Sequence, residues 1–226
     1  MRNMADNKYC YPNSNVLINK LGITDIDTLQ KAEMDYTFVR LMDLQKKPLS
    51  GDFSFTHLKR IHKYIFQDLY DWAGKVRTVN ISKGSSEFCL VQNIESYAES
   101  IFSVFFEDCY SVRNDREKFI EIFTSHYGDM NALHPFREGN GRTQREFARE
   151  LCLKCGYVFD LSKTSHSQML EASVLSFMKM DNSKLLQIFE RAIFEEKDYV
   201  EHDNLYILSM DDLDISKEIE TYTYYE

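Results

Sequence analysis

No run of about 18 apolar residues occurs anywhere in the 226-residue chain, so no membrane-spanning helix is expected. The N-terminus, Met-Arg-Asn-Met-Ala-Asp-Asn, lacks the apolar core of a secretory signal. Positive charge is in deficit: 27 Lys and Arg stand against 36 Asp and Glu, a net charge of −9. That balance argues against nucleic acid or a membrane surface as the main partner. The five cysteines (10, 89, 109, 152 and 155) are odd in number and scattered. Cys152-x-x-Cys155 has no second ligand pair at zinc-finger spacing, and both cysteines share one helical face. Buried, reduced thiols and a reducing, cytoplasmic setting are the expectation. Internal repeats and low-complexity linkers are also missing. The economical organisation is one domain over residues 1–196 and a tail over 197–226.

What is present is mostly helical periodicity. Val16 to Leu21 reads as a short helix stopped by Gly22. Asp27 caps a helix to about Lys46, with Leu29, Ala32, Tyr36 and Val39 on one face, and Pro48 enforces its end. Ser54 or Thr56 opens another, striped with Leu58, Ile61, Ile65 and Leu69 and closed by Trp72-Ala73-Gly74. Asn93 caps a helix to about Cys109, with Ile94, Tyr97, Ile101 and Phe105 inward. Asp115 begins one that carries Phe119, Ile122, Phe123, His126, Met130 and Leu133; His126 on that stripe reads as a satisfied core histidine. A further helix stops at Gly156, and two more run over Ser165–Met180 and Ser183–Glu196, broken at Asp181-Asn182.

One β-signal stands out, over residues 76–90. Val79 and Ile81 alternate with polar residues, Lys83-Gly84-Ser85-Ser86 turns, and Glu87 to Leu90 returns. A lone hairpin on a helical body either covers the core or offers an open edge to another strand. From Glu195 to Glu226, eleven acidic residues face only Lys197 and Lys217, with Leu205, Ile207, Leu208, Leu213 and Ile215 interspersed. This is an acidic tail with enough apolar residues to fold partly on the body.

The chemistry concentrates in residues 134–145, His-Pro-Phe-Arg-Glu-Gly-Asn-Gly-Arg-Thr-Gln-Arg. Gly139-Asn140-Gly141 is a turn that small or left-handed-tolerant residues adopt cheaply. Phe147, Leu151 and Cys155 follow at helical spacing, so the turn sits at a helix N-terminus, where backbone N–H groups and the dipole favour an anion. Arg142 and Arg145, three apart in the first turn, are expected to share a face. Two cations there oppose the helix dipole unless a polyanion binds. His134 supplies a candidate base and Glu138 the loop's only carboxylate. The loop reads as a phosphate site with a base and a metal ligand.

This run resembles the motif of the Fic family, His-x-Phe-x-acidic-Gly-Asn-Gly-Arg-x-x-Arg, at all eight fixed positions: His134, Phe136, Glu138, Gly139, Asn140, Gly141, Arg142 and Arg145. Residues 11–22, 68–77 and 80–84 resemble further landmarks of that domain, so the likeness extends over about 9–196. It implies an all-α Fic fold, a helical bundle around the motif loop and helix with one short β-hairpin flap. It also implies a protein adenylyltransferase, moving AMP from ATP to a Ser, Thr or Tyr hydroxyl of a target protein. Carried over, His134 is the general base, Glu138 holds Mg²⁺, Gly139, Asn140 and Gly141 form the anion hole, and Arg142 and Arg145 bind the β- and γ-phosphates. Phe136 anchors the loop. The flap, Ile81, Ser82, Lys83, Gly84, Ser85, Ser86, Glu87 and Phe88, docks the target by strand pairing.

Relatives that phosphorylate their target carry Lys where this chain has Gly141, so Gly141 favours nucleotidyl transfer. Transfer of another phosphate-containing group, or a nucleotide-dependent binding role for flap and tail, are the alternatives. The family's inhibitory pattern, [Ser/Thr]-x-x-x-Glu-[Gly/Asn], has no full match. Ser167-x-x-x-Glu171 is followed by Ala172, and Ser216-x-x-x-Glu220 by Thr221. The resemblance is therefore to bacterial toxins held by a separate small antitoxin. A DNA topoisomerase subunit is the target the family suggests.

Overall fold

The computed structural model describes residues 8–83, 86–199 and 222–225. The chain begins without the expected helix at Val16–Leu21. Instead Cys10 and Leu17 form an antiparallel bridge, with Tyr11 N–H on Val16 C=O (2.9 Å) and Ile18 N–H on Tyr9 C=O (2.8 Å). Asn19 ties the turn closed through Leu17 C=O and Ile23. Gly22 still takes a left-handed φ of +69° there, ending a loop and not a helix.

Helix α1 (Ile26–Lys46) is capped by Asp25, two residues before the expected cap. Its buried residues are Leu29, Glu33, Thr37, Leu41 and Leu44, while Tyr36 and Val39 are 42% and 56% exposed. Leu29 is buried as its place on the stripe requires and Ala32 is half-buried, but further along the inner face passes through Glu33 and Thr37, a carboxylate and a hydroxyl that meet polar partners. Helix α2 (Phe55–Phe66), capped by Ser54, buries Leu58, Ile61 and Ile65 as its pattern requires, and Leu69 follows in the closing turn.

Strands β1 (Asn80–Lys83) and β2 (Ser86–Glu87) form the expected hairpin; Gly84 and Ser85 at its tip lie outside the described residues. The helix expected over 93–109 is two, α3 (Ile94–Phe102) and α4 (Phe105–Ser111). The break at Ser103-Val104 lets both Phe102 and Phe105 reach the core. Helix α5 (Arg116–Leu133), capped by Asp115, enters the motif loop, and α6 (Asn140–Lys154) leaves it. His126 is satisfied as expected, with Nε2 2.9 Å from Asp108 and its ring on Phe105.

Strand β3 (Tyr157–Phe159), helix α7 (His166–Lys179), helix α8 (Ser183–Ala192) and strand β4 (Ile193–Glu195) complete the body. The β3–β4 pair was not expected: the pattern read as helix to Glu196 turns into strand at Ile193. At three residues each, these strands are too short for alternation to mark them. Ser165 gives α7 a full capping box with Gln168. Most of the acidic tail lies outside the described residues, but β5 (Tyr222–Tyr225) returns to pair antiparallel with β1, giving a sheet ordered β2-β1-β5.

The core is a continuous aromatic mass around α5 and α6. Phe123 and Phe189 meet at 5.3 Å, and Phe147 lies edge-on to Phe53 and Phe102 at 5.7 and 5.4 Å. Buried aromatic pairs of this geometry hold the two motif helices rigidly side by side. All five cysteines are free, and burial pushes the Cys109 and Cys152 thiols upward, consistent with inert core residues. Among the described residues no helix is long and apolar enough to cross a membrane.

Candidate active site

His134 ends α5 in a left-handed conformation (φ 44°, ψ 61°), which turns the chain sharply into the loop. Its Nδ1 is 3.3 Å from Asn131 C=O. A carbonyl only accepts, so that contact calls for the proton on Nδ1 and places the lone pair on Nε2. Phe88, just after β2, stacks on the imidazole with centroids 4.0 Å apart. Arg77 fixes the turn from below. Its Nε donates to His134 C=O and its Nη1 to Val79 C=O, both at 2.9 Å, and its Nη2 to Cys89 C=O. The base of the hairpin and the candidate base are thus one hydrogen-bonded unit. Sequence reasoning placed Arg77 in a landmark without a role.

The loop is held by its own motif residues. Asn140 Oδ1 accepts from Phe136 N–H (2.9 Å) and its Nδ2 donates to Phe136 C=O (2.8 Å), so its side chain clamps the loop's backbone. Phe136 stacks on His62 at 3.8 Å. Buried His62 donates from Nε2 to Glu138 C=O (3.0 Å) and accepts at Nδ1 from Gly74 N–H (2.8 Å). Burial pushes its imidazole down to about 3; the bond to Glu138 opposes the shift and the Arg142 charge aids it. Gly139 has φ +77°, and a Cβ there would stand 2.1 Å from the Phe66 ring. Only glycine fits.

Helix α6 then starts with no side-chain cap. Its first N–H groups have no intrahelical partner by construction, and Gly141 in this turn lines a cleft. That cleft, about 560 Å³ including its mouth, is bounded by His134, Gly141, Gln144 and Arg145 on one side. Phe88, Met169, Val174 and Phe177 also line it. Phe88 and Phe177 stack at 4.0 Å, giving the cleft an aromatic wall. The α7 wall was missed in the sequence, although Met169, Ser173 and Phe177 recur every fourth residue.

The two arginines part company. Arg145 lines the cleft. Arg142, 4% exposed, points into the body, with Nη2 2.5 Å from Glu33 Oε1, Nη1 3.3 Å from Thr37 and its guanidinium over Phe66. Tyr70 donates to the other oxygen of Glu33, and burial together with that carboxylate raises the phenol's pKa far above its ordinary value. The expected shared face is not formed, because α1 brings a buried carboxylate to one side of α6 only.

Glu138 is buried, with Oε1 accepting from Gly139 N–H (2.8 Å) and 3.8 Å from Arg142. Among the described residues no cluster of three or more His, Cys, Asp or Glu side chains forms a metal cage. One buried carboxylate at the uncapped start of α6 fits the way Mg²⁺ is held, by one or two carboxylates plus substrate oxygens and water. Glu171 forms an ion pair with Lys184 on an exposed surface, away from Arg145's cleft. Glu220 lies outside the described residues.

Residues 52–152 match the sequence model of the Fic/DOC family. The chain is 37% identical over 187 residues to the protein adenylyltransferase VbhT of Bartonella schoenbuchensis, covering 83% of this chain and 39% of that relative's length. It is 35% identical over 190 residues to the probable protein adenylyltransferase Fic of Salmonella typhimurium, covering 84% of this chain and 94% of the relative. Among solved structures, the BepC effector of Bartonella tribocorum with bound AMPPNP superposes with a TM-score of 0.78 at 21% identity, over 85% of this chain and 98% of that one.

Proposed function

The chain belongs to the Fic/DOC family, and from that premise we propose that it is a protein adenylyltransferase, moving AMP from ATP to a side-chain hydroxyl of a target protein. One observation carries this reading: His134, its Nδ1 against Asn131 C=O, lines the same cleft as Arg145 and Gly141 at the uncapped start of α6.

In the reaction the target hydroxyl oxygen attacks the α-phosphorus of ATP. The new P–O bond forms as the bond to the β-phosphate breaks, and pyrophosphate leaves. His134 Nε2 takes the hydroxyl proton, and Asn131 C=O holds the imidazole in the tautomer that can do so. The N–H groups at the start of α6 stabilise charge on the α-phosphoryl oxygens, the dipole adding to them. Arg145 binds the pyrophosphate end, where its forked donors match phosphate oxygens. Arg142 supports this turn through Glu33, and its positive charge acts on the phosphates from behind. Phe88, Met169, Val174 and Phe177 supply the apolar surface suited to the adenine ring. Glu138 would hold Mg²⁺, which when bound neutralises phosphate charge.

The test is ATP labelled at the α-phosphate, incubated with Mg²⁺, bacterial lysate and the protein. Labelled protein bands absent with His134→Ala support the reading. Label transferred only from the γ-position would replace it with phosphorylation.

A further inference from the structure

Strand β1 has two edges. Its pairing with β2 joins only Ser82 to Glu87 and Lys83 to Ser86. Its other edge carries β5 over four residues: Asn80 opposite Tyr225, Ile81 opposite Tyr224, Ser82 opposite Thr223 and Lys83 opposite Tyr222. Each backbone N–H has one proton to give, so an edge pairs with one strand at a time. The longer edge of the hairpin is filled by the chain's own C-terminus.

The hairpin is fastened at its base to the transfer centre. Phe88 stacks on His134, Arg77 bridges His134 C=O to Val79 and Cys89, and Cys89 N–H bonds Ala132 C=O at 3.2 Å. A segment on the β1 edge therefore runs from Lys83 towards that centre, and in β5 the residue opposite Asn80 at the base is Tyr225. The segment itself reads Glu220-Thr221-Tyr222-Thr223-Tyr224-Tyr225-Glu226. Every residue between its acidic ends bears a hydroxyl, and Tyr and Thr favour extended backbone. It has the chemistry of an acceptor segment, and its residues Tyr222–Tyr225 lie on the β1 edge.

We propose that β5 is an internal competitor for the β1 edge, a tyrosine-rich extended strand from a segment with acidic flanks, which a target strand must displace. What the target receives rests on the adenylyl-transfer reading; the competition for the edge does not. Tethering makes the internal strand a strong competitor, since its binding is intramolecular. The displacement is isoenergetic in kind, one set of backbone hydrogen bonds for another, so side-chain fit and concentration decide it.

The test uses the full chain and a fluorescent synthetic peptide of residues 220–226, followed by anisotropy. Thr223→Pro, which removes a strand N–H and fixes φ, opens the edge. The peptide is expected to bind this variant roughly tenfold or more tightly than the unaltered chain. A peptide with proline at its centre binds neither. On the unaltered chain, excess peptide is expected to speed hydrogen exchange across Tyr222–Tyr225. Equal peptide binding to both proteins, or exchange that the peptide leaves unmoved, overturns the proposal. With α-labelled ATP and lysate, Thr223→Pro is expected to label target bands several-fold faster. Peptide discrimination without label from either protein would leave the competition standing and remove the adenylyl-transfer reading. Label transfer without peptide discrimination would do the reverse.

Discussion

Arg142 and Arg145 leave the first turns of α6 three residues apart and come to different ends. Arg145 borders the cleft beside His134 and Gly141. Arg142 is buried against Glu33, Thr37 and Phe66. Three residues advance a helix by less than one full turn, so the two side chains diverge enough to meet different neighbours. On one side the neighbour is α1 with its buried carboxylate, on the other the cleft, although both arginines are largely buried. Identical residues in one motif thus come to different surroundings: Arg142 packs against α1, and Arg145 lines the cleft.

The comparison can be broken by substitution. The largest effect is expected at the cleft itself, where His134→Ala should lower initial rates of AMP transfer by about 10²–10⁴-fold. ATP binding, measured by calorimetry, should persist. On the opposite side, Arg142→Met strands Glu33 as a buried unpaired charge. Urea unfolding should show a loss of about 3–5 kcal/mol, and Glu33→Gln added to it should restore a good part. If Arg142→Met unfolds like the unaltered protein and only transfer disappears, Arg142 does not hold the turn in place. Arg145→Ala should act the other way round. KM for ATP should rise by roughly ten- to a hundredfold, as for a charged hydrogen bond of about 1.5–3 kcal/mol.

A pH dependence bears on the buried side. His62 titrates near 6.5 when unfolded and near 3 when folded. Between those values the unfolded chain binds more protons, so stability rises with pH. The contribution is complete above about 6.5 and is lost as pH falls towards 3, at up to about 1.4 kcal/mol per pH unit. His62→Gln, which retains a donor for Glu138 C=O, should flatten the slope of urea-derived stability between pH 4 and 6, as compared in about unit steps. An unchanged slope would show that His62 is not the group responsible.

Much of this site was legible because its requirements are local. Gly139 needs a left-handed φ, Phe136 an apolar seat, and the turn a helix behind it, all within twelve consecutive residues of sequence. Helix caps at Ser54, Asp115 and Ser165 were legible for the same reason. Glu33 and Thr37 were not. A polar residue on an amphipathic helix reads as solvent-facing, and only the arrival of Arg142 from over a hundred residues away makes that face the inner one. His62 was hidden likewise, since neither Glu138 C=O nor Gly74 N–H, its two partners, is near it in sequence. The strand at Ile193 was lost because three residues carry no period.

The sequence by itself determined the chemistry: which residues stand at the start of α6, that the turn there must be glycine, and that a hairpin precedes the motif. Those follow from backbone sterics and short-range hydrogen bonding, which act between near neighbours. The tertiary structure alone decided how that chemistry is deployed. It turned Arg142 inward and left Arg145 in the cleft, built the apolar wall from α7, and returned the C-terminal strand to the flap. Each of these depends on burial or on pairing between segments distant in the chain, and neither has a local signature.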